Sequence, residues 1–167
     1  MKTGSLIVRD ALPEELDEVS ALLGEAYQEY KQSFPSDAWE EYRADILNVR
    51  SRLSDSELIV AAMDGKLVGT VTLYSAGSYS ETWPKGWAGV RLLGVLPAYR
   101  GRGIARALME ECIRRSRAKG MSVLGLHTGD MMKAAQKMYV GMGFERAPEF
   151  DFHPAPDHVV LAYKLKL

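Results

Sequence analysis

Residues 99–108, YRGRGIARAL, place two glycines and three arginines at the start of an apolar helix. Backbone N–H groups in the first turn of a helix have no intrahelical acceptor and lie at the positive end of the helix dipole. Glycines keep Cβ atoms away, so that an anion can approach these groups closely. Phosphate oxygens can also accept hydrogen bonds from Arg100, Arg102 and Arg106. Two interpretations fit this pattern equally at this stage: a pyrophosphate-binding turn, and an ordinary loop that enters a surface helix.

Two other phosphate-binding motifs do not fit this turn. A P-loop requires Gly-Lys-Ser/Thr after its glycines, which this sequence lacks. The dinucleotide fingerprint G-x-G-x-x-G would require glycine where Arg106 stands, and it normally opens the first βαβ unit of a chain. Nucleotide-binding folds are therefore disfavoured.

The composition and net charge of the chain argue against several further classes of function. A net charge of −1 argues against general nucleic-acid binding, which requires a basic excess. The three histidines and Cys112 lack the spacing of metal ligands, so no metal is expected, and Cys112 falls on the apolar side of a predicted helix. No apolar run has the length of a signal peptide or a membrane span, which predicts a cytoplasmic protein without membrane contact.

The elements that must position the turn follow from apolar periodicity and turn residues. Asp64-Gly65 joins two β-rich runs and is typical of a type I′ hairpin. Helices are expected from Pro13 and from Ser36, which is predicted to be an N-cap. Further strands are expected over 5–9, 87–96, 121–126 and 158–167, and further helices over 104–119 and 131–142. With no repeat or linker, residues 1–167 are predicted to form a single mixed α/β domain.

Residues 90–120, VRLLGVLPAYRGRGIARALMEECIRRSRAKG, resemble the central motif of the GNAT superfamily of acetyl-CoA-dependent N-acetyltransferases. The family signature Gln/Arg-x-x-Gly-x-Gly/Ala is matched by Arg100, Gly103 and Ala105. The segment AAQKMYVGMGF resembles the second family motif, A-x-x-x-Y-x-x-x-G-F, on Ala135, Tyr139, Gly143 and Phe144. The opening segment IVRDALPEELDEV also resembles the usual start of the family, so the resemblance covers essentially the whole chain.

The resemblance implies a central, largely antiparallel sheet with helices on both faces and a splayed central pair of strands. It implies transfer of an acetyl group from acetyl-CoA, the co-substrate, to a primary amine by direct attack in a ternary complex. A small-molecule amine is the first choice of acceptor, and a protein N-terminus or lysine is the alternative. A non-catalytic acyl-CoA-binding module and a homodimer are both left open.

The resemblance also implies roles for individual residues. The N–H of Val95 would point at the thioester carbonyl and stabilise the oxyanion, a task for preorganised dipoles. Tyr139 would be the general acid that protonates the departing thiolate, and packing on the core is its alternative role. The residues that would bind the cofactor are Leu93, Gly94, Val95, Arg100, Gly101, Arg102, Gly103, Ile104, Ala105, Arg106 and Tyr139.

The sequence departs from the family pattern at two places. Met132 stands where many members have an asparagine that contacts the cofactor, so that contact is not carried over. The strand WAGVRLLGV has no carboxylate, although many members use a glutamate there as a base. Because a lysine-like amine has a pKa of about 10.4, its deprotonation near pH 7 costs roughly 4 to 5 kcal/mol.

A proton acceptor for the amine must therefore come from elsewhere. His127 is the first choice because neutral imidazole suits base work near pH 7. The other candidates are Asp130, Glu81 and His153, and each of the four has an alternative role as a polar rim or capping residue. Aromatic residues around the predicted loop at 75–86 either pack on the core or shape an acceptor pocket: Tyr74, Tyr79, Trp83 and Trp87.

Overall fold

A computed structural model of the chain describes residues 5–75 and 83–167. The fold is mixed α/β, as predicted, with an open and mostly antiparallel eight-stranded sheet. The strands are β1 (Leu6–Asp10), β2 (Glu57–Met63), β3 (Lys66–Tyr74), β4 (Trp87–Val95), β5 (Val123–Gly129), β6 (Glu145–Arg146), β7 (Phe152–Ala155) and β8 (His158–Lys166). The helices are α1 (Leu16–Tyr27), α2 (Ser36–Leu47), α3 (Ile104–Ala118) and α4 (Lys133–Gly141).

The strands are ordered β1-β2-β3-β4-β5-β8-β6, and β7 pairs with β8. The turn between β2 and β3 has φ of 52° at Asp64 and 81° at Gly65. Two successive left-handed residues are what a type I′ turn requires, which confirms the predicted hairpin.

Contacts divide the chain into two compact units. The first, called the N-terminal unit here, comprises Met1–Thr72 and Leu92–Glu111. The second, the C-terminal unit, comprises Leu73–Arg91 and Cys112–Leu167. The single domain expected from the sequence stays a prediction.

Glycines set the close packing of the N-terminal unit. A Cβ added at Gly94 of β4 would lie 3.2 Å from the Ala26 Cβ and 3.3 Å from Leu23 of α1. A Cβ at Gly69 of β3 would lie 3.0 Å from Ile104 and 3.1 Å from Leu108 of α3. Both glycines therefore let a helix pack directly on strand backbone.

The C-terminal unit is built around β8, which pairs antiparallel with β5 from Val123↔Lys166 to Gly129↔Val160. A Cβ added at Gly125 would lie 1.3 Å from a ring carbon of Trp83, so the indole occupies the space above this strand residue. Trp83 is only 8% exposed.

The pairing of β4 with β5 stops before either strand ends. The two strands are parallel from Trp87↔Val123 to Val90↔Leu126. Two residues later Leu92 has φ of 54°, a left-handed conformation that costs a non-glycine residue about 1–3 kcal/mol. The interrupted pairing agrees with the splayed strand pair that the resemblance implies.

Some predicted element boundaries were wrong. Strand β5 extends to Gly129 instead of ending at 126, because its last residues pair with β8. Helix α2 begins at Ser36, with Pro35 as its N-cap. Strands β6 and β7 were not predicted, because they have two and four residues, too few for a periodic pattern.

A bidentate ion pair between Arg9 and Glu15 connects β1 to the segment that follows it. The Arg9 guanidinium donates to both Glu15 carboxylate oxygens at 2.8 and 2.9 Å, and the Leu12 N–H donates to Oε1 at 2.8 Å. These hydrogen bonds, that of Arg9 first, lower the pKa of Glu15 to about 2. A carboxylate whose pKa falls on folding stabilises the protein above its unfolded pKa, and that stabilisation is lost as the pH falls towards 2.

We expect Glu15→Gln to lower the free energy of unfolding at pH 7 by about 1–2 kcal/mol, a figure reduced for solvent screening of a partly exposed pair. Near pH 2 the variant and the wild type should be equally stable. Urea unfolding at both pH values measures this, with the exposed neighbour variant Glu14→Gln as control. Equal destabilisation by the two variants at pH 7 would contradict the role assigned to Glu15.

Candidate active site

The glycine-rich turn lies in the N-terminal unit between a 3-10 turn, Pro97–Tyr99, and the first residue of α3. Gly101 and Gly103 both have φ of 79°, in the left-handed region where glycine is favoured. A Cβ added at either glycine would meet nothing within 4 Å. Glycine is thus required here by backbone conformation, and the space before the turn is open.

The backbone N–H groups of residues 101–106 are the main polar feature of this turn. The first backbone bond of α3 runs from the Ala107 N–H to the Gly103 carbonyl, at 3.0 Å. Within residues 5–75 and 83–167, no acceptor bonds the N–H groups of 101–106. Residues 101–103 are exposed. A helix N-terminus with exposed, unpaired donors and no acidic residue in its first turn is suited to an anion.

The three arginines of the turn differ in their partners. Arg106 Nε lies 3.1 Å from Glu110 Oε1, an exposed pair one turn along α3. Arg102 lies 4.9 Å from the centre of the Tyr99 ring, and Lys66 Nζ lies 5.5 Å from the same centre. No carboxylate in the described segments pairs with Arg102.

Arg100 instead donates to three groups of its own unit. Its Nη1 donates to Glu29 Oε1 at 2.7 Å, its Nη2 to the Ala26 carbonyl at 2.9 Å, and its Nε to the Val95 carbonyl at 3.3 Å. These bonds hold the guanidinium to the end of α1 and the end of β4.

The strand residues predicted to contact the cofactor, Leu93, Gly94 and Val95, follow the left-handed Leu92. The carbonyl of Leu93 accepts a hydrogen bond from the Tyr27 hydroxyl at 2.9 Å. Val95 is buried, and the next N–H, that of Leu96, donates to Val68 of β3 at 2.9 Å. The N-terminal unit therefore contains residues 93–95 and 100–106 together.

Tyr139 lies on α4 in the C-terminal unit and is 5% exposed. Its ring packs on Phe144 and Tyr163, with centroids 5.7 and 6.2 Å away. Gly143, with φ of 98°, follows the helix and returns the chain so that the Phe144 N–H donates to the Tyr139 carbonyl. Packing of the ring is observed, and the predicted role as a general acid stays a prediction.

His127 lies on β5 in the same unit and is half-buried among aromatic rings. Its Nε2 lies 2.9 Å from the Phe150 carbonyl, which only accepts, so Nε2 carries the proton. Burial lowers the pKa of His127, which favours neutral imidazole near pH 7. Its Nδ1 would then be the basic nitrogen.

The other predicted proton acceptors have less support. Asp130 does not cap α4, because Met132 is the N-cap and no side-chain bond is made there. His153 is exposed on β7, and Glu81 lies outside the described residues. Met132 Sδ accepts from the Thr128 hydroxyl at 3.5 Å.

Two of the four aromatic residues predicted around the loop at 75–86, Trp83 and Trp87, contact each other in the C-terminal unit. The rings of Trp83 and Trp87 are 5.2 Å apart, and Phe150 contacts both. Phe152 contacts His127 at 5.2 Å. Tyr79 lies outside the described residues. Phe150 and Phe152 were not predicted to join this group, because nothing local to residues 148–155 indicates that this segment packs beside β5.

Two negative findings concern the described part of the chain alone. Residues 5–75 and 83–167 contain no group of three His, Cys, Asp or Glu side chains that could hold a metal ion. Among the helices of these segments, none has both the length and the apolar character of a membrane span.

Comparison with known families gives a match over most of the chain. The model of the acetyltransferase (GNAT) family matches residues 18–144. A curated relative, S-alkylcysteine N-acetyltransferase of Bacillus subtilis (strain 168), is 33% identical over 116 residues, which are 68% of this chain. The match covers 64% of that relative, so this chain spans slightly less than two thirds of its length.

Solved structures of low sequence identity share the fold. PaiA N-acetyltransferase from Thermoplasma acidophilum, solved in complex with coenzyme A, has a TM-score of 0.79 and 17% identity, covering 98% of this chain and 99% of that one. The ribosomal-protein-S18-alanine N-acetyltransferase from Escherichia coli has a TM-score of 0.68 and 17% identity, covering 97% and 94%.

Proposed function

Because the chain belongs to the acetyltransferase (GNAT) family, we propose that it transfers an acetyl group from acetyl-CoA to a primary amine on a small molecule. The observation that carries this proposal is the turn at 101–106, whose N–H groups have no acceptor in the described segments and whose left-handed glycines suit a pyrophosphate. The residues of the turn fit the co-substrate, since the space before both glycines is open.

The reaction needs few groups from the protein. The amine nitrogen attacks the thioester carbon, a C–N bond forms, and the C–S bond breaks. In the proposal, the Val95 N–H donates to the carbonyl oxygen as it gains charge, and the Tyr139 hydroxyl gives its proton to the thiolate. The proton of the amine goes to His127 Nδ1 or to water, and neutral imidazole suits that task near pH 7.

The proposed class of amine acceptor is inferred from the relative named S-alkylcysteine N-acetyltransferase. Its name describes an α-amine on a small amino acid with an apolar side chain. The aromatic rings of Trp87, Phe150 and Phe152 supply apolar surface in the C-terminal unit that suits such a side chain. A protein N-terminus is the second candidate, since the fold is shared with an enzyme that acts on a ribosomal-protein alanine.

A thiol-release assay with acetyl-CoA separates these candidates. We expect turnover with S-methylcysteine or related free amino acids, and little with peptides that begin with alanine or contain lysine. Turnover on peptides alone would move the assignment to protein acetylation. Tight coenzyme A binding with no turnover on any acceptor would support a non-catalytic acyl-CoA-binding module.

The arginines of the turn should differ in their effect on cofactor affinity. We expect Arg102→Ala to raise the Kd for coenzyme A about 5-fold at low salt, the scale of about 1 kcal/mol for an exposed charge contact. Arg106→Ala should have a smaller effect because Glu110 already compensates its charge. Calorimetry at two salt concentrations measures both.

A matched control for charge is Arg117→Ala, which removes an exposed arginine from the last turn of α3. An Arg102→Ala variant that binds coenzyme A as well as Arg117→Ala does would exclude Arg102 from the phosphate site.

A further inference from the structure

The end of α1 is bonded to the strand segment that carries the proposed oxyanion donor. The Tyr27 hydroxyl donates to the Leu93 carbonyl at 2.9 Å, across 66 residues of sequence. Tyr27 is 8% exposed, and its ring packs on those of Tyr30 and Tyr42. These contacts hold its hydroxyl in place beside the strand. Residues 93–95 are thus tied to a helix of the N-terminal unit.

Arg100 forms a second set of hydrogen bonds that includes this strand segment. Its guanidinium donates to the Val95 carbonyl and the Ala26 carbonyl, and it pairs with Glu29, just beyond α1. One planar group thereby joins the end of β4, the end of α1 and the start of the anion-binding turn. A guanidinium can do this because its donors have fixed directions.

The backbone that leads into this hydrogen-bonded segment is strained at Leu92. Leu92 has φ of 54°, and such strained residues persist only where the surroundings determine them. A Cβ added at Gly94, two residues later, would lie 3.2 Å from the Ala26 Cβ, closer than ordinary van der Waals contact. The direction of the Val95 N–H therefore depends on how firmly 93–95 are held after the bend at Leu92.

We propose that Tyr27 and Arg100 are positioning residues that hold residues 93–95 so that the Val95 N–H points at the thioester carbonyl. This rests on the proposed function, since it assigns a purpose to the direction of that N–H. Neither side chain is proposed to touch the reacting atoms. Arg100 then acts on the cofactor site through the backbone, and its guanidinium is not a phosphate ligand.

Tyr27→Phe tests the first tie with little change in volume. We expect kcat to fall by roughly 10- to 100-fold, since a misplacement of about 1 Å can cost about 100-fold. The Kd for coenzyme A should stay within about twofold, because the variant leaves the N–H groups of the turn in place. The backbone amide resonances of Leu93 and Val95 should shift in the free protein.

The control is Tyr42→Phe, which removes a hydroxyl from a ring that packs on Tyr27 and leaves the bond to Leu93 intact. It should keep the wild-type kcat and amide resonances. Arg100→Lys is the second variant, since a single ammonium cannot serve three acceptors in fixed directions. It should also lower kcat and shift the Val95 amide resonance.

The possible failures are distinguishable. If the wild type acetylates no acceptor, the proposed function fails, and unchanged amide resonances in Tyr27→Phe would show separately that the tie does not hold the strand. If the wild type is active and Tyr27→Phe matches Tyr42→Phe in kcat, the positioning role is overturned, whether or not the amide resonances shift.

Discussion

Replacing Tyr139 with phenylalanine should lower turnover by roughly 10²- to 10⁴-fold, the usual range for the loss of a general acid. The substitution removes one hydroxyl and keeps the ring that packs on Phe144 and Tyr163. The affinity for acetyl-CoA should change little, because the proton is needed when the thiolate departs and not when the thioester binds.

Tyr163→Phe is the matched control, because it removes a hydroxyl from a neighbouring ring that is equally buried, at 5% exposure. Turnover with the preferred amine and the Kd for coenzyme A should be measured for both variants. Similar turnover in the two would show that Tyr139 is a packing residue. A modest rate loss with weaker cofactor binding would indicate instead a hydrogen bond that positions the thiol.

Replacing Gly103 with valine should raise the Kd for coenzyme A by roughly 100-fold, which corresponds to the loss of one or two charge-assisted hydrogen bonds of about 1.5–3 kcal/mol each. The branched side chain would extend into the open space before the exposed N–H groups. It would also be strained at φ of 79°, so affinity and stability must be measured separately.

Gly120→Val provides the control for strain. Gly120 follows α3 with φ of 74°, and a Cβ there would also meet nothing within 4 Å. The two variants should therefore lose similar stability in thermal unfolding, while calorimetry should show weak coenzyme A binding for Gly103→Val alone. A folded Gly103→Val variant with wild-type affinity would refute the phosphate-binding turn.

The features that the sequence predicted correctly are those with local physical causes. The hairpin at Asp64 follows from the two left-handed residues that this turn requires. The start of α3 and the stop after α4 follow from glycines at the ends of apolar periodic segments. The resemblance to the GNAT family likewise rests on short motifs, one at residues 100–105 and one at residues 135–144.

The features that the sequence could not predict depend on partners far along the chain. Arg100 was expected to face phosphate, but its guanidinium is bonded to Glu29, 71 residues away. The bond from Tyr27 to Leu93 and the contact of His127 with Phe150 likewise join separate elements. Strands β6 and β7 are too short to form a pattern and are defined by pairing with β8.

The sequence by itself therefore predicted the longer helices and strands, the family and a candidate anion-binding turn. Only the tertiary structure decided what surrounds each side chain: which arginine of the turn is left without a carboxylate partner in the described segments, and which nitrogen of His127 carries the proton. The physical reason is that backbone conformation responds mainly to neighbouring residues, whereas the environment of a side chain is set by whichever segments fold against it.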